Sequence, residues 1–360
     1  MITRILHGDC REIMRTLPDA SVQCCVTSPP YYGLRDYGTA EWEGGSADCD
    51  HKKVQDEAGA ISKSTLGGGK KTTGHLQEGF KDVCGHCGAR RVDRQIGLEQ
   101  EPDEYVARLV DVFRGVRRLL RDDGTLWLNL GDSYANVGGS DGRRTQGYAL
   151  AGGGFDRPNT TGEGIKPKDL LGIPWRVAFA LQADGWWLRS AIIWHKPNPM
   201  PESVRDRPTS AYEMVFLLAK SDRYFYDADA IMEQAESTGK RRDTGGTDGF
   251  VDFGMVKGRA GNRADGKRNA RNVWTITPKP YKGAHFATMP IDLAARCILA
   301  GSRIGDTVLD PFGGAGTTGL AADIHQRHSV LIELNTDQYT DQAHERIVGD
   351  APLFADVVMA

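Results

Sequence analysis

The sequence lacks the marks of a secreted or membrane-bound protein. No apolar run is long enough to cross a bilayer, and the chain does not open with a cationic, apolar leader. We therefore expect a cytoplasmic protein with no membrane partner. Only 7 of the 360 residues are cysteine, and without a leader that number argues against a disulfide framework.

Basic charge is not in excess either, since the formal net charge is −3 at pH 7. The overall balance does not indicate a polyanion-binding protein, although one basic face is enough to contact phosphates. Hydrophobic residues make up 39% of the 360 positions. A chain of this size and composition can bury a complete α/β core and one or two small modules.

A rigid turn follows a short apolar, β-branched run near the start of the chain. Residues 22–27 predict a buried strand, and Ser28-Pro29-Pro30-Tyr31 follows directly. Two prolines fix φ near −65° and remove two backbone donors, so the strand must end there. This proline ledge offers carbonyl oxygens, a hydroxyl and an aromatic face, which suit a planar amine such as a nucleobase. Taken alone, it is equally consistent with a simple turn.

A glycine-rich turn lies near the other end of the chain. Residues 307–322 predict a strand, a turn and a helix, and a second strand at 329–332 ends in Glu333. Glycines allow close approach of a ligand, and an acidic residue after the next strand suits a ribose diol. The turn has no G-K-[ST] motif, and Asp310 would repel a pyrophosphate but could bind a cationic amine. These features favour S-adenosylmethionine as the ligand.

With both motifs in this order, the chain resembles the DNA amino-methyltransferases, and in particular their permuted β-class, in which the catalytic motif precedes the cofactor loop. Segments 5–10, 125–134, 189–198 and 285–290 are similar to further motifs of that family. The resemblance implies an α/β, Rossmann-like methyltransferase fold with a central, mostly parallel seven-stranded sheet in permuted order. It also implies transfer of a methyl group from S-adenosylmethionine to the exocyclic amine of a base flipped out of double-stranded DNA.

The resemblance also implies the site residues. Catalysis falls to Ser28, Pro29, Pro30 and Tyr31, and Tyr32 is a candidate second aromatic contact. Cofactor binding falls to Asp9, Asp310, Pro311, Phe312, Gly313, Gly314, Gly316, Thr317, Thr318, Glu333, Asn335, His285, Ala287, Thr288 and Pro290. The Ser28 hydroxyl and the Pro29 carbonyl would accept hydrogen bonds from the amine while Tyr31 stacks on the base. Transfer would then be a direct displacement that needs no strong base.

Three polar, glycine-rich insertions interrupt the predicted core. We expect a catalytic half at 1–37, an insertion at 38–96, further core at 97–233 with a loop at 136–168, a basic target-recognition insertion at 234–282, and a cofactor-binding half at 283–360. The 237–282 segment contains eleven Lys or Arg and four Asp or Glu, a net charge of +7. We predict DNA contacts at Arg143, Arg144, Lys240, Arg241, Arg242, Arg263, Lys267, Arg268 and Arg271.

The first insertion carries a cysteine and histidine pattern typical of zinc sites. Cys84 and Cys87 form a C-x₂-C pair followed by glycine, and Cys49 and His51 could complete a tetrahedron. His86 is the competing fourth ligand, and free surface cysteines are the alternative. Because the insertion is poor in apolar residues, a structural Zn²⁺ would explain how it folds.

Several alternatives remain open at this point. Cysteine-dependent C5 methylation is disfavoured because Cys24 and Cys25 lie inside the strand rather than after a proline. Serine at the first ledge position favours N4 of cytosine, with N6 of adenine as the alternative. An RNA or protein amine methyltransferase and a catalytically lapsed DNA-binding regulator are more distant alternatives. A cognate restriction endonuclease, an orphan enzyme, a homodimer and a nucleoid-associated protein of bacterial or phage origin are all compatible with the sequence.

Overall fold

The computed structural model describes residues 1–34, 37, 39–51, 83–135, 164–235, 266–278, 289–335, 339–350 and 356–359. Two compact units divide the chain: residues 1–35 with 96–360, and residues 36–95. Among the described residues, no helix combines the length and the apolar character needed to cross a bilayer.

A large sheet forms the centre of the first unit. Its strands are β1 (Ile2–His7), β2 (Val22–Thr27), β5 (Leu120–Leu130), β6 (Trp187–His195), β7 (Tyr212–Ala219), β10 (Val273–Thr275), β11 (Thr307–Asp310), β12 (His328–Glu333) and β13 (Asp356–Met359). They lie in the order β10-β6-β7-β5-β2-β11-β12-β1-β13. Only β7 runs antiparallel to its neighbours β5 and β6; the other paired strands of the described sheet are parallel.

The sheet has two strands more than the expected seven, one at each edge. In the described residues it has nine strands, because short β10 adds to β6 and short β13 adds to β1. The polar residues 121–124 are part of β5, and the pairing of β5 with β2 shifts register between Val22 and Cys24. The mostly parallel Rossmann-like architecture is confirmed.

Helices cover both faces of the sheet. They are α1 (Cys10–Thr16), α2 (Pro102–Leu119), α3 (Ile173–Ala183), α4 (Ile291–Gly301), α5 (Thr317–Ile324) and α6 (Asp341–Asp350). One hydrophobic cluster joins α1, α2 and α3 to the sheet, and two others pack α4, α5 and α6 against it. Apolar residues at helical spacing explain α2, whose Leu109, Phe113 and Val116 are wholly buried.

Two short antiparallel strand pairs lie outside this layer. In the second unit, β3 (Glu41–Glu43) pairs with β4 (Arg90–Val92). In the first unit, β8 (Glu233–Gln234) pairs with β9 (Lys267–Arg268), and most of the predicted basic insertion lies between these two strands in sequence. The second unit overlaps the insertion expected at 38–96, and the roles given to the insertions stay predictions.

Candidate active site

The candidate site lies at one edge of the sheet, where the parallel strands end. Strands β1, β2, β5, β6, β11 and β12 run toward this edge, and β7 begins there because it is antiparallel. The proline ledge follows β2, Asp310 ends β11, Glu333 ends β12, and Asp9 lies two residues after β1. In open α/β sheets this is the edge at which ligands bind.

Buried neighbours hold the proline ledge in place. Val22–Thr27 is buried at every position, as the sequence predicted, and the ledge follows it directly. The Tyr105 hydroxyl donates a hydrogen bond of 2.9 Å to the Pro30 carbonyl. Gly97, at φ 102°, passes so close that a Cβ there would lie 3.0 Å from the Tyr31 carbonyl oxygen. The ledge is therefore a fixed surface.

The Tyr31 hydroxyl is surrounded by acceptors. It donates to Glu213 Oε2 at 2.5 Å and lies 3.1 Å from Asn129 Oδ1. The Ser28 hydroxyl donates to Tyr31 Oη at 3.3 Å. Burial and the Glu213 carboxylate raise the pKa of Tyr31 well above its ordinary value. Tyr31 therefore stays a hydroxyl, and its ring packs so tightly on Gly131 that a Cβ there would meet it at 2.6 Å.

Glu213 is itself held from two sides. Lys196 forms an ion pair with Glu213 Oε1, and the Asn129 amide donates to Oε2 at 3.1 Å. Asn129 also donates to the Met214 carbonyl at 3.2 Å, so its amide hydrogens point away from Tyr31. The sequence interpretation missed Glu213 and Lys196. Their signal in the sequence is one charged residue, Glu213, near the start of an apolar strand, and another, Lys196, just after the end of the preceding strand.

Tyr32 does not contribute a second aromatic contact. Its side chain is wholly buried, its hydroxyl donates to the Gln100 carbonyl at 2.9 Å, and its ring packs on Tyr105. The expectation was wrong because Tyr32 is enclosed in the core, whereas Tyr31 is only partly buried against it.

Asp310 joins the glycine-rich turn to the strand that carries the ledge. Its Oδ1 accepts from the Thr27 hydroxyl at 2.6 Å and from the Phe312 N–H at 3.0 Å, while Oδ2 accepts from the Thr318 hydroxyl at 2.7 Å. Burial raises the pKa of this carboxyl group, against the opposing effect of these hydrogen bonds. The sequence analysis expected Asp310 to bind a cationic amine of the ligand. In the structure its carboxylate oxygens accept hydrogen bonds from protein groups.

The turn itself depends on two left-handed glycines. Gly314 has φ 47° and Gly316 has φ 73°. A Cβ on Gly316 would lie 2.8 Å from the Ala343 Cβ of α6. The turn that follows β11 therefore packs tightly against α6. Arg346 also holds the turn by donating a hydrogen bond of 3.1 Å to the Ala315 carbonyl.

Two acidic residues lie on one side of the turn, Glu333 at the end of β12 and Asp9 just after β1. Glu333 Oε2 accepts from the Gly314 N–H and Oε1 from the Asn335 N–H, both at 2.8 Å. Burial raises the pKa of Glu333. Asp9 caps α1 and pairs with Arg11 at 2.5 Å, and the Gly8 N–H donates to the Glu333 carbonyl at 2.9 Å. The carboxylates at the end of β12 and just after β1 thus belong to neighbouring strands of the sheet.

The remaining predicted cofactor residues divide between described and undescribed parts of the chain. The structure places Pro311, Phe312, Gly313, Thr317 and Thr318 in the turn and the first residues of α5, and Pro290 at the start of α4. His285, Ala287 and Thr288 lie outside the described residues.

The second unit brings four predicted metal ligands together. The ligand atoms of Cys49, His51, Cys84 and Cys87 all lie within 4.8 Å of one another. His86 is exposed and is not a member of this group. Backbone N–H groups of Ser46 and Ala89 lower the pKa of the Cys87 thiol to about 6.

Part of the predicted DNA-contacting set surrounds one carboxylate. Glu233 accepts from Arg271 Nε at 3.1 Å and from Arg296 at 3.0 Å, and Arg268 Nε lies 3.7 Å away. Lys267 is exposed beside them. Arg143, Arg144, Lys240, Arg241, Arg242 and Arg263 lie outside the described residues.

Two bacterial proteins are similar to the chain over nearly its whole length. Type II methyltransferase M.SmaI of Serratia marcescens is 42% identical over 349 residues, which cover 96% of this chain and 90% of the relative. Type II methyltransferase M.Cfr9I of Citrobacter freundii is 40% identical over 351 residues, covering 96% and 88%.

Solved structures share the fold. The PvuII DNA methyltransferase (cytosine-N4-specific) matches with a TM-score of 0.55 at 16% identity, covering 96% of this chain and 87% of that one. A putative DNA modification methylase of Thermus thermophilus, complexed with S-adenosyl-L-methionine, matches with a TM-score of 0.51 at 20% identity, covering 99% of both chains.

The family comparison agrees with the geometry of the site. Residues 22–345 match the N6/N4 methyltransferase family model, whose description is DNA methylase. That interval contains both the proline ledge and the glycine-rich turn. The chain belongs to this DNA methylase family and is an S-adenosylmethionine-dependent DNA amino-methyltransferase.

Proposed function

We propose that the chain methylates N4 of cytosine in double-stranded DNA, with Ser28 and Pro29 binding the target amine. The observation that carries this proposal is the hydroxyl chain, meaning the hydrogen bonds from Ser28 to Tyr31 and from Tyr31 to Glu213. Because each hydroxyl donates toward Glu213, Ser28 is left as a hydrogen-bond acceptor for a ligand.

The direction follows from counting hydrogens. A carboxylate can only accept, so Tyr31 must donate its one hydrogen to Glu213 or to the carbonyl oxygen of Asn129. Tyr31 can then only accept from Ser28, which uses the one hydrogen of Ser28 as well. Lys196 supports this arrangement because it forms an ion pair with the other oxygen of Glu213.

The consequence is selectivity for an amine. With its hydrogen committed to Tyr31, the Ser28 hydroxyl presents lone pairs toward a ligand and favours a donor over a carbonyl oxygen. A cytosine offers an amine where thymine offers a carbonyl oxygen. A bound base of the wrong kind would leave two acceptors facing each other, which costs binding free energy.

The chemistry then needs little beyond positioning. S-adenosylmethionine supplies an electrophilic methyl group when bound. The Ser28 hydroxyl and the Pro29 carbonyl orient the amine nitrogen by accepting hydrogen bonds from its N–H groups. Tyr31 contacts the base with its ring, which is held in place by the hydrogen bonds of its hydroxyl. A cysteine mechanism at C5 is disfavoured, because burial raises the pKa of Cys24 to about 12 and that of Cys25 well above its ordinary value.

The edge beside the ledge fits the cofactor. Gly314 and Gly316 give the turn no side chains that would obstruct a ligand. Each oxygen of Glu333 accepts one backbone hydrogen bond. Because a carboxylate can accept roughly four hydrogen bonds in all, Glu333 keeps acceptor positions for a ligand. We assign the ribose to Glu333, the adenine side to Asp9, and the rest of the cofactor to the turn and to residues 285–290. Asp310 acts as a positioning residue for that turn.

We assign DNA contacts to the basic segment between β8 and β9 and to the basic residues around Glu233. The guanidinium groups of Arg268, Arg271 and Arg296 share the carboxylate of Glu233, and Lys267 is exposed beside them. We assign phosphate contacts to this surface and to the basic residues at 143–144, 240–242 and 263. A base flipped from the duplex would then reach the ledge.

The choice of cytosine over adenine rests on serine at the first ledge position, whereas the amine-accepting direction of the hydroxyl chain fits both bases. Adenine also presents an amine, so N6-methyladenine is the alternative product. Relatives named Type II methyltransferases support a place beside a restriction endonuclease in a bacterial or phage cytoplasm. An orphan enzyme and a homodimer stay predictions.

Product analysis tests the proposal directly. Duplex DNA incubated with the protein and S-adenosylmethionine is digested to nucleosides, and the methylated nucleoside is identified by mass and retention. We expect N4-methylcytosine, with none in a reaction that omits the cofactor. N6-methyladenine would overturn the base assignment, and 5-methylcytosine would overturn the amine mechanism.

A further inference from the structure

The second unit carries a group of side chains that methyl transfer does not use. Cys49, His51, Cys84 and Cys87 come from two places in the chain, on either side of residues 52–82. We propose that these four residues bind one structural Zn²⁺.

Two distances within the group match those around a tetrahedral ion. Zn–S and Zn–N bonds of about 2.3 and 2.05 Å at tetrahedral angles separate two sulfurs by about 3.8 Å and a sulfur from a nitrogen by about 3.6 Å. The structure has Cys49 Sγ 3.7 Å from Cys84 Sγ, and Cys87 Sγ 3.5 Å from His51 Nδ1. A disulfide needs about 2.05 Å between sulfurs, so the spacing fits a shared ion and not a bond.

The backbone around the thiols has the form of a metal-binding knuckle. The Gly88 N–H donates to the Cys84 carbonyl at 2.9 Å, and the Cys84 N–H donates to the Ala89 carbonyl at 2.8 Å. Gly88 has φ 74°, which turns the chain back immediately after Cys87. Gly45 passes so close to the group that a Cβ there would lie 2.6 Å from Cys87 Sγ. The two cysteines are therefore presented to one point.

The histidine is placed by two further features. His51 has φ 54°, a left-handed conformation that a non-glycine residue adopts only when its surroundings impose it. Its ring stacks on Trp42 of β3, with centroids 4.7 Å apart and planes 18° apart. The structure thus favours His51 over the exposed His86 as the fourth ligand.

The second unit has little else among its described residues to stabilise it. None of these residues belongs to the hydrophobic clusters of the described chain. The pairing of β3 with β4 supplies only three residues on each side. A closed Cys₃His site would join the start and the end of residues 49–87, and three thiolates with one imidazole and no open position select zinc as a structural ion.

Metal content is the direct test and needs no methyl transfer. We expect about one zinc per chain when the whole protein is expressed in medium containing zinc, purified and analysed by plasma mass spectrometry. Cys84→Ser and Cys87→Ser are expected to lose the metal, whereas His86→Ala keeps it as the matched control. His51→Cys is expected to retain it, because a fourth thiolate can replace the imidazole.

Cobalt loading keeps the test decisive if a cysteine variant fails to fold. The wild-type chain stripped of metal and titrated with Co²⁺ is expected to give the strong visible bands of tetrahedral cobalt bound to thiolates at one equivalent, removed by added Zn²⁺. A metal-free protein with no such bands would overturn the site. A Cys49–Cys84 disulfide detected by mass spectrometry would also overturn it. Each outcome is separable from the proposed function, since a metal-free chain that still makes N4-methylcytosine contradicts only the zinc site.

Discussion

The hydroxyl of Tyr31 and the carboxylate of Glu213 are separated by 182 residues in sequence and by 2.5 Å in the structure. Tyr31 follows β2 and Glu213 is the second residue of β7, with β5 between these two strands in the sheet. This contact decides which way every hydroxyl of the ledge donates.

Reversing that direction should slow methyl transfer. In Glu213→Gln an amide N–H can donate to Tyr31, so the Tyr31 hydrogen is shared between Asn129 Oδ1 and Ser28 and can turn toward Ser28. A hydrogen bond to a charged group is worth about 1.5–3 kcal/mol. We therefore expect kcat to fall roughly 10- to 100-fold while the Kd for duplex DNA changes little.

Double variants separate positioning from general damage. Ser28→Ala combined with Glu213→Gln should lose little more than Ser28→Ala alone, because both changes interrupt one hydrogen-bonded chain. Asp184→Asn, which breaks an ion pair with Arg114 where α3 ends, is the matched control and should keep normal turnover. Additive losses would show that Glu213 does not act through Ser28, and a normal kcat in Glu213→Gln would remove Glu213 from the mechanism.

The buried Asp310 should give the protein a distinct pH dependence of stability. Its folded-state pKa is raised above 3.8, so the folded chain holds a proton that the unfolded chain has released. The contribution of Asp310 to the free energy of unfolding therefore falls as pH rises from about 4 through the raised pKa, and is constant above it. Asp310→Asn should remove this slope, since Thr318 can donate to the Val26 carbonyl and accept from the new amide.

The measurement is the Tm of both proteins between about pH 4 and pH 8, a range that starts near the unfolded pKa of an aspartate. The difference between variant and wild type should change in favour of the variant as pH rises. A constant difference across that range would show that Asp310 does not titrate there. An opposite trend would mean that hydrogen bonds outweigh burial and lower the pKa.

The glycine-rich turn should tolerate no side chain at Gly316. Alanine there would adopt φ 73° and place its Cβ 2.8 Å from that of Ala343. Left-handed strain alone costs about 1–3 kcal/mol, so we expect a lower Tm and weaker binding of S-adenosylmethionine in calorimetry.

Gly349 of α6 provides the comparison for Gly316. A Cβ there meets nothing within 4 Å, and its helical position should make Gly349→Ala neutral or stabilising by up to about 1 kcal/mol. Equal effects of the two changes on Tm and on cofactor affinity would show that the packing of the turn is not what limits binding.

The sequence predicted what depends on neighbours along the chain. The β2 strand and its proline stop, the β11 strand, the glycine turn and the α5 helix all follow from local periodicity and turn chemistry, and the C-x₂-C-G knuckle from spacing. Contacts across the sheet could not be predicted this way. Glu213 and Lys196 gain their place only when β6 and β7 pair, and Tyr32 is assigned to the core only by the packing of α2.

Asp310 links parts of the chain that are far apart in sequence. Its carboxylate connects Thr27, which directly precedes the ledge, with Thr318 of α5, and the Thr27 and Asp310 partners are 283 residues apart. The methyl-accepting and methyl-donating halves are thus joined by the pairing of β2 with β11 and by these side-chain hydrogen bonds, and not by a connecting peptide. Either half could come first in the gene without altering this joint, which gives a physical reason why the order of segments is interchangeable in such a fold.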